Sequence, residues 1–231
     1  MSIEENVRRI RQEIAQAALA AGRDPAQIQL CAATKMNDAQ AVRRAIAAGV
    51  DCCGENRVQE LVAKQAENAY AGVPVHFIGH LQTNQVRQVV GQVDLIQSVD
   101  SARLLQAINN EAQRSGIVQN VLLEVNIGGE EAKSGFAPES LEQAAEEAKK
   151  CANVRVRGLM CIPPVAEGEH GSLPYFEKVH ALFVDINAKL YDNTLDILSM
   201  GMSGDYEDAV RAGATMVRGG TAIFGARNYT I

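Results

Sequence analysis

The sequence predicts an α/β fold, a closed (β/α)8 barrel of the TIM type. Eight short, mostly apolar runs are spread along all 231 residues. Stretches with helical periodicity separate them, and strict alternation of this kind favours a parallel sheet covered by helices. No Pro- or Gly-rich linker interrupts the pattern. We therefore expect a single domain over residues 1–231, with an open doubly wound sheet as the alternative.

The predicted strands are nearly continuously apolar in their middles, which is typical of parallel strands covered on both faces. Eight such strands can close on themselves, and this number favours the barrel. The predicted strands are Gln29–Lys35, Asp51–Asn56, Val75–Gly79, Asp94–Asp100, Asn120–Ile127, Arg155–Ile162, Asp196–Met202 and Ala214–Arg218.

Start and stop signals mark the helices between the strands. Asp38 is placed to cap the helix after the first strand, and Gly49 to end it. Ser101 and Gly116 have the same roles after the fourth strand, and Pro138 suits the first turn of a later helix. We expect a helix after each of the first seven strands.

The N-terminal segment predicts a further helix over residues 2–21. Ser2 and Glu5 form a capping box ahead of an apolar stripe. Only the 13 residues 219–231 follow Arg218, too few for a full eighth helix. We therefore expect the N-terminal helix to pack on the barrel where an eighth helix would lie.

Composition excludes several classes of function. The formal net charge of −6 argues against nucleic acid or an anionic membrane as partner. No apolar run approaches the ~20 residues of a membrane span, and the N-terminus lacks the apolar core of a signal peptide. We expect a cytoplasmic monomer.

The cysteines predict neither a disulfide framework nor a zinc site. Their number is odd and no CxxC spacing occurs. We expect them to be small buried hydrophobic residues, and we expect no metal site. The five are Cys31, Cys52, Cys53, Cys151 and Cys161.

Chemistry in this fold lies at the carboxyl ends of the strands. Lys35 is the only lysine at such an end, and its amine is expected either in the barrel mouth or extended into solvent. The residues that close the strands are Lys35, Asn56, His80, Ser98, Asn126, Met160, Ser203 and the pair Gly219–Gly220.

The loops after the seventh and eighth strands predict an anion site. Ser203–Gly204 precedes a short helix, and Arg218 precedes Gly219–Gly220–Thr221. Barrels commonly bind phosphate with these two loops, where free backbone N–H groups and hydroxyls donate hydrogen bonds. The alternative is that the glycines only serve tight turns. A lysine amine facing a phosphate site suits a phosphorylated aldehyde, and Arg218 favours pyridoxal phosphate over a sugar phosphate.

Six short motifs in order resemble the pyridoxal phosphate homeostasis protein family, also called the YggS or proline synthetase co-transcribed family. The motifs are AATK ending at Lys35, GENRVQE from Gly54 to Glu60, HFIGHLQTNQ from His76 to Gln85, EVNIGGEEAKSGF from Glu124 to Phe136, LSMGMSGD from Leu198 to Asp205 and VRGGTAIFGAR from Val217 to Arg227. The resemblance covers essentially the whole chain. It implies a fold-type III barrel similar to the N-terminal domain of alanine racemases, and a role in vitamin B6 and amino-acid homeostasis without established catalytic turnover.

The same resemblance implies the site residues. Lys35 would hold pyridoxal 5′-phosphate as an internal aldimine, and Arg218 would face the pyridine nitrogen. Amino acids would be further ligands, and apo forms of cofactor-dependent enzymes would be recipients. No residue is expected to be catalytic. The phosphate residues implied are Ser203, Gly204, Gly220 and Thr221, and the wall residues are Asn56, His80 and Met200.

The sequence departs from the family pattern in three places. Asn37 and Gln85 stand where many members have lysines, which puts in doubt an accessory lysine role at those positions, although Lys133 is retained. Gly219 replaces a branched apolar residue and is expected to loosen the turn after the eighth strand.

Two enzyme classes remain as alternatives, a weak racemase-like enzyme and a cofactor-free Schiff-base aldolase. Racemisation needs an acid and a base on opposite faces of the carbanion. Lys35 could serve one face, but racemases of this fold supply the other from an additional C-terminal domain, which we do not expect here. Arg218 stays protonated, keeps the pyridine nitrogen unprotonated and weakens the ring as an electron sink. We expect a cofactor-binding homeostasis protein.

Overall fold

Eight parallel strands close into a barrel in the computed structural model, which describes residues 1–130, 133–168 and 170–225. Each strand pairs with the next, and β8 pairs with β1, with Cys31 opposite Arg218. The predicted barrel is therefore confirmed, and the open sheet is wrong. The strands are β1 Gln29–Ala33, β2 Cys52–Glu55, β3 Val75–Phe77, β4 Leu95–Val99, β5 Gln119–Val125, β6 Val154–Cys161, β7 Ile197–Ser199 and β8 Met216–Gly219. Two of the six sequence motifs extend beyond the described residues, because residues 131–132 of the EVNIGGEEAKSGF motif and residues 226–227 of the VRGGTAIFGAR motif lie outside them.

Helices cover the outside of the barrel. The N-caps predicted for the helices after the first and fourth strands are both present. Asp38 accepts a hydrogen bond from the backbone N–H of Ala41 at 2.7 Å, and Ser101 accepts one from Leu104 at 3.3 Å. In the described residues the helices are α1 Ile3–Ala20, α2 Ala39–Ala47, α3 Val58–Ala66, α4 Ala102–Arg114, α5 Leu141–Lys149, α6 Leu173–Leu190, α7 Tyr206–Arg211 and α8 Thr221–Phe224.

The connection after β3 differs from the expectation of a full helix. A 3-10 helix, Thr83–Gln88, takes its place. Gln82 precedes it without a side-chain capping bond, in contrast to Asp38 and Ser101. Thr, Asn and Val dominate this segment up to Gly91, and these weak helix formers disfavour a longer α-helix.

Helix α1 packs against α2, α7 and the four-residue α8. The predicted capping box is present, since Ser2 and Glu5 exchange hydrogen bonds of 2.7 and 3.2 Å. Farther along, the buried Asn6 side chain donates to the carbonyl of Ile223 at 2.9 Å. This bond ties the N-terminal helix to the segment that follows β8.

The barrel interior holds an unusual share of polar side chains. Arg218 donates to the Ser199 hydroxyl at 2.6 Å, and Ser199 donates to Gln97 Oε1 at 2.7 Å. The Gln97 amide nitrogen lies 2.9 Å from Nδ1 of His76. We call these four residues the polar row; it crosses the barrel from β8 and β7 to β4 and β3. All four side chains are buried.

Among the described residues, no helix is both long and apolar enough to cross a membrane.

Candidate functional site

A cavity of about 340 Å3 opens at the carboxyl ends of the strands. Its size falls in the range of small-molecule sites. The lining comes from the ends of β1, β2, β3, β6, β7 and β8 or from the loops that follow them. The lining residues are Ala33, Lys35, Asn56, Ile78, Ile162, Met202, Ser203, Gly204, Arg218, Gly220 and Thr221.

Lys35 lies two residues beyond β1, on a loop with a defined backbone. Thr34 is fully buried, and its hydroxyl donates to Glu55 at 2.8 Å. Met36 adopts a left-handed φ of 61°, and its N–H donates to Glu60 at 2.7 Å. Asn37 donates from its side-chain amide to the Lys35 carbonyl at 3.0 Å. This residue therefore shapes the lysine loop.

A buried ion pair supports that loop from below. Lys64 on α3 donates to Glu55 at 2.6 Å, to Glu60 at 3.0 Å and to the Thr34 carbonyl at 2.7 Å. The side chains of Lys64 and Glu55 are 7% and 0% exposed. Buried charges need such full pairing. These residues were not among the predicted site residues, although two signals pointed to them: an acidic residue inside an apolar strand and a Glu60–Lys64 spacing of one helical turn.

The loops after β7 and β8 meet at one hydroxyl. The Oγ of Ser203 accepts hydrogen bonds from the N–H groups of Gly220 at 3.2 Å and Ala222 at 3.1 Å. Gly204 beside it is exposed, and a Cβ there would meet nothing within 4 Å. Backbone donors from the second loop thus converge on the edge of the cavity. Such convergence is typical of anion sites.

Arg218 brings a buried positive charge to the floor of the cavity. It is 4% exposed, and besides Ser199 it donates to the Cys161 carbonyl at 2.9 Å. Burial lowers the pKa of the guanidinium, and the charges of nearby acidic groups, Glu124 among them, oppose that shift. An arginine nevertheless remains protonated at any ordinary pH.

Glu124 at the end of β5 is a buried carboxyl near this charge. Burial raises its pKa to about 7, and the negative charge of Asp100 adds to the shift. The charges of Arg218 and His80 act in the opposite direction. Glu124 can therefore change its charge near neutral pH.

The wall residues are only partly where the sequence placed them. Asn56 lines the cavity, and its Oδ1 is buried without a hydrogen-bond partner among the described residues. His80 lies outside the lining, with its side chain 59% exposed and Nδ1 3.1 Å from Asp100. Ile78, two residues earlier, lines the cavity in its place.

Met200 is also outside the lining and is fully buried in the main core. Successive strand side chains point to opposite faces. Because Ser199 points into the barrel, Met200 faces the helices, and Met202 reaches the cavity instead.

The structure also shows the contacts of Gly219 and Lys133, the other two residues singled out against the family pattern. Gly219 is paired with Ala32 in regular β8, and the Ile223 side chain would lie 2.9 Å from a Cβ at that position. The strand therefore runs regularly through Gly219, contrary to the expected loosening. Lys133 pairs with Glu130 at 2.6 Å, outside the cavity lining.

The barrel with a lysine and an anion-type cradle at its carboxyl end defines a class, the barrels related to alanine racemases. A family model described as the N-terminal domain of alanine racemase matches residues 2–228. An alanine racemase of Clostridium difficile shares the fold with a TM-score of 0.73 at 17% identity, and the match covers 98% of this chain and 58% of the racemase.

Within that class, the chain belongs to the family of pyridoxal phosphate homeostasis proteins. It is 44% identical over 231 residues to the member from Pseudomonas aeruginosa, covering 99% of this chain and 97% of the relative. The Aquifex aeolicus member is 41% identical over 225 residues, covering 97% and 98%. The solved structure of PipY from Synechococcus elongatus with PLP bound has a TM-score of 0.79 at 34% identity, covering 92% of this chain and 100% of PipY. The two curated relatives are named as homeostasis proteins and not as enzymes.

Proposed function

We propose that this chain binds pyridoxal 5′-phosphate at the carboxyl end of the barrel, through a Schiff base with the Lys35 amine, and that it serves cofactor homeostasis. One observation carries the proposal: Lys35 shares a single cavity with Ser203, Gly204, Gly220 and Thr221. Lys35 is the only lysine that lines this cavity within the described ranges. The bound cofactor reported for PipY supports the same assignment.

The residues present fit the group. The N–H groups that converge on Ser203 can also donate to phosphate oxygens, and the Thr221 hydroxyl adds a donor. The partnerless Oδ1 of Asn56 can accept a hydrogen bond from a cofactor hydroxyl. Arg218 can only donate, so a ring nitrogen facing it stays unprotonated. When bound, the cofactor supplies an electrophilic carbon to which primary amines add.

We also propose that the site performs no amino-acid turnover. Besides Lys35, the polar side chains of the described lining are Asn56, Ser203, Arg218 and Thr221. None of these four exchanges a proton readily near neutral pH. Racemisation needs a second proton-transfer group on the opposite face of the substrate.

Incubation with L-alanine and cofactor in deuterated water tests this part of the proposal. We expect no accumulation of D-alanine above the level given by the Lys35→Ala protein. Rapid Cα deuterium exchange together with D-alanine formation would instead establish an enzyme.

Amino acids and apo forms of cofactor-dependent enzymes are the partners we propose. Lys35 is only half-buried, and Met202 and Thr221 on the cavity rim are exposed. Amines can therefore reach the attachment point from solvent. Mixing the loaded protein with an apo-enzyme, and comparing the gain of activity with that from an equal amount of free cofactor, measures the transfer.

The attachment itself is tested by borohydride reduction followed by peptide mass mapping. We expect the pyridoxyl group on the peptide that contains Lys35. Lys133→Ala is the matched control, since Lys133 lies outside the cavity lining, and its protein should be labelled as fully as the wild type. Label found mainly on Lys133 would show that the site is assigned to the wrong lysine.

A further inference from the structure

Two thiols and an imidazole meet inside the barrel. Cys31 on β1 is in register with Cys52 on β2, and His76 lies on β3, the next strand. The two sulfurs and a ring nitrogen of His76 lie within 4.8 Å of one another. The three residues are 0%, 2% and 6% exposed. The barrel register therefore gathers three metal-ligating groups that the sequence spaces far apart.

This cluster is separate from the candidate cofactor site. None of its three members lines that cavity. Cys52 is the first residue of β2, and Cys31 and His76 are the middle residues of β1 and β3, so the cluster lies inside the barrel, below the strand ends that carry the cavity.

The donor atoms are soft. Cys31 and Cys52 pack with Met216, whose thioether lies 3.2 Å from the Gln97 amide nitrogen. Thiolate and thioether ligands select Zn²⁺ and Cu⁺ over hard cations. Zinc bonds of about 2.3 Å to sulfur and 2.0–2.1 Å to nitrogen place ligand atoms roughly 3.3–4 Å apart. Small side-chain shifts reach that spacing. We propose that Cys31, Cys52 and His76 bind a soft d10 cation, Zn²⁺ or Cu⁺.

Gln97 supplies the support that a ligating histidine needs. Its amide lies 2.9 Å from Nδ1 of His76, and outer partners of this kind fix the orientation of a ligating ring. Ligation through Nε2 leaves the proton on Nδ1, so the Gln97 amide makes a half turn to present its oxygen. Its nitrogen then donates to Ser199, whose hydroxyl is the acceptor for Arg218. The cation is thereby connected to the residue at the floor of the cofactor cavity.

Metal competition on the full-length, reduced protein under anaerobic conditions tests the proposal. Zn²⁺ and Cu⁺ are titrated in separate arms against a chromophoric chelator of known affinity. We expect one equivalent to bind in at least one arm, and the arm that binds identifies the cation. Cys52→Ala should weaken that binding by more than about 100-fold, since even outer partners of metal ligands contribute 10- to 100-fold.

Cys53→Ala is the matched control. Cys53 is the next residue on β2, but it is part of the main core outside the barrel interior. Its loss should leave metal affinity unchanged. If Cys52→Ala folds poorly, Cys52→Ser keeps the volume while removing the soft donor. The proposal is overturned if the wild type binds neither cation, or if Cys53→Ala weakens binding as much as Cys52→Ala.

Discussion

The two sides of the cavity are built from different interactions. On the lysine side, the loop that carries Lys35 stands on a buried ion pair between Lys64 and Glu55. On the opposite side, the two glycine-containing loops are joined by hydrogen bonds from backbone N–H groups to the Ser203 hydroxyl. One side depends on fully desolvated charges, and the other depends on neutral donors near solvent.

This difference matches what each side would do in the proposed site. A covalent attachment would need its amine at a fixed position and direction, which a rigid, buried support provides. A phosphate would need several donors that can turn toward it, and partly buried backbone N–H groups can provide these without a counter-charge. Substitutions on the lysine side should therefore affect folding, whereas those on the phosphate side should affect affinity.

The largest expected effect is that of Lys35→Ala. It removes the only lysine of the described lining and leaves every phosphate donor in place. The variant should lose the absorbance band of the Schiff base completely and retain weak, non-covalent cofactor binding. Absorbance spectra and equilibrium dialysis measure the two results. A band that persists at full strength would contradict the assignment.

Lys64→Met should have the next largest effect, this time on stability. It leaves the fully buried Glu55 carboxylate without its counter-charge, which costs about 3–5 kcal/mol of unfolding free energy. Urea unfolding measures the loss. The control is Lys189→Met, because Lys189 pairs with Asp185 at an exposed position and should change the free energy of unfolding little. An equal loss of unfolding free energy in Lys64→Met and Lys189→Met would show that the buried ion pair does not support the lysine side of the cavity more than a surface pair does.

Ser203→Ala should weaken cofactor binding while changing stability less. It removes one hydrogen bond to a charged group, about 1.5–3 kcal/mol, which corresponds to roughly ten- to 150-fold in affinity. Equilibrium dialysis measures the change. Ser134→Ala is the control, because Ser134 contacts His80 outside the cavity lining. Unchanged affinity in Ser203→Ala would mean that Ser203 does not touch the phosphate.

Glu124→Gln should have the smallest effect at acidic pH, and its effect on stability should grow as the pH rises. The pKa of Glu124 is about 7 in the folded protein against 4.5 for an ordinary glutamate. Between these values the folded state binds more protons than the unfolded state, so stability falls as pH rises. The glutamine variant cannot ionise at this position, so it should not lose stability in this way as the pH rises.

Its advantage should therefore grow from near zero at pH 4.5 to roughly 3 kcal/mol at pH 8, from a pKa difference of about 2.5 units at about 1.36 kcal/mol each. A series of urea unfolding curves across that range tests the prediction. An advantage that is the same at every pH would indicate a packing effect instead.

The sequence predicted the features that depend on local pattern. All eight strands and the Asp38 and Ser101 caps were predicted, because apolar runs and capping residues act within a few positions. The α-helix expected after β3 was wrong, because the alternation of strands and helices was extended to a segment of weak helix formers. His80 and Met200 were expected on the wall because the family resemblance implies them, and they lie outside the cavity lining of the described residues.

Features that depend on folding could not be predicted in this way. Lys64 meets Glu55 only because α3 packs back on β2. Cys31 and Cys52 meet only because β1 and β2 pair in one particular register. These cysteines were predicted to be small buried hydrophobic residues; their burial is confirmed, whereas their proximity to each other was not predicted.

The polar row that crosses the barrel also bears on how the chain finds its strand register. A shift by one residue turns every side chain of a strand to the opposite face. In a shifted barrel the Arg218 guanidinium would lie among the apolar side chains beneath the helices, separated from Ser199. An unpaired charge buried there costs several kcal/mol. The row therefore acts against misregistered barrels, because only the native pairing lets Arg218, Ser199, Gln97 and His76 satisfy one another.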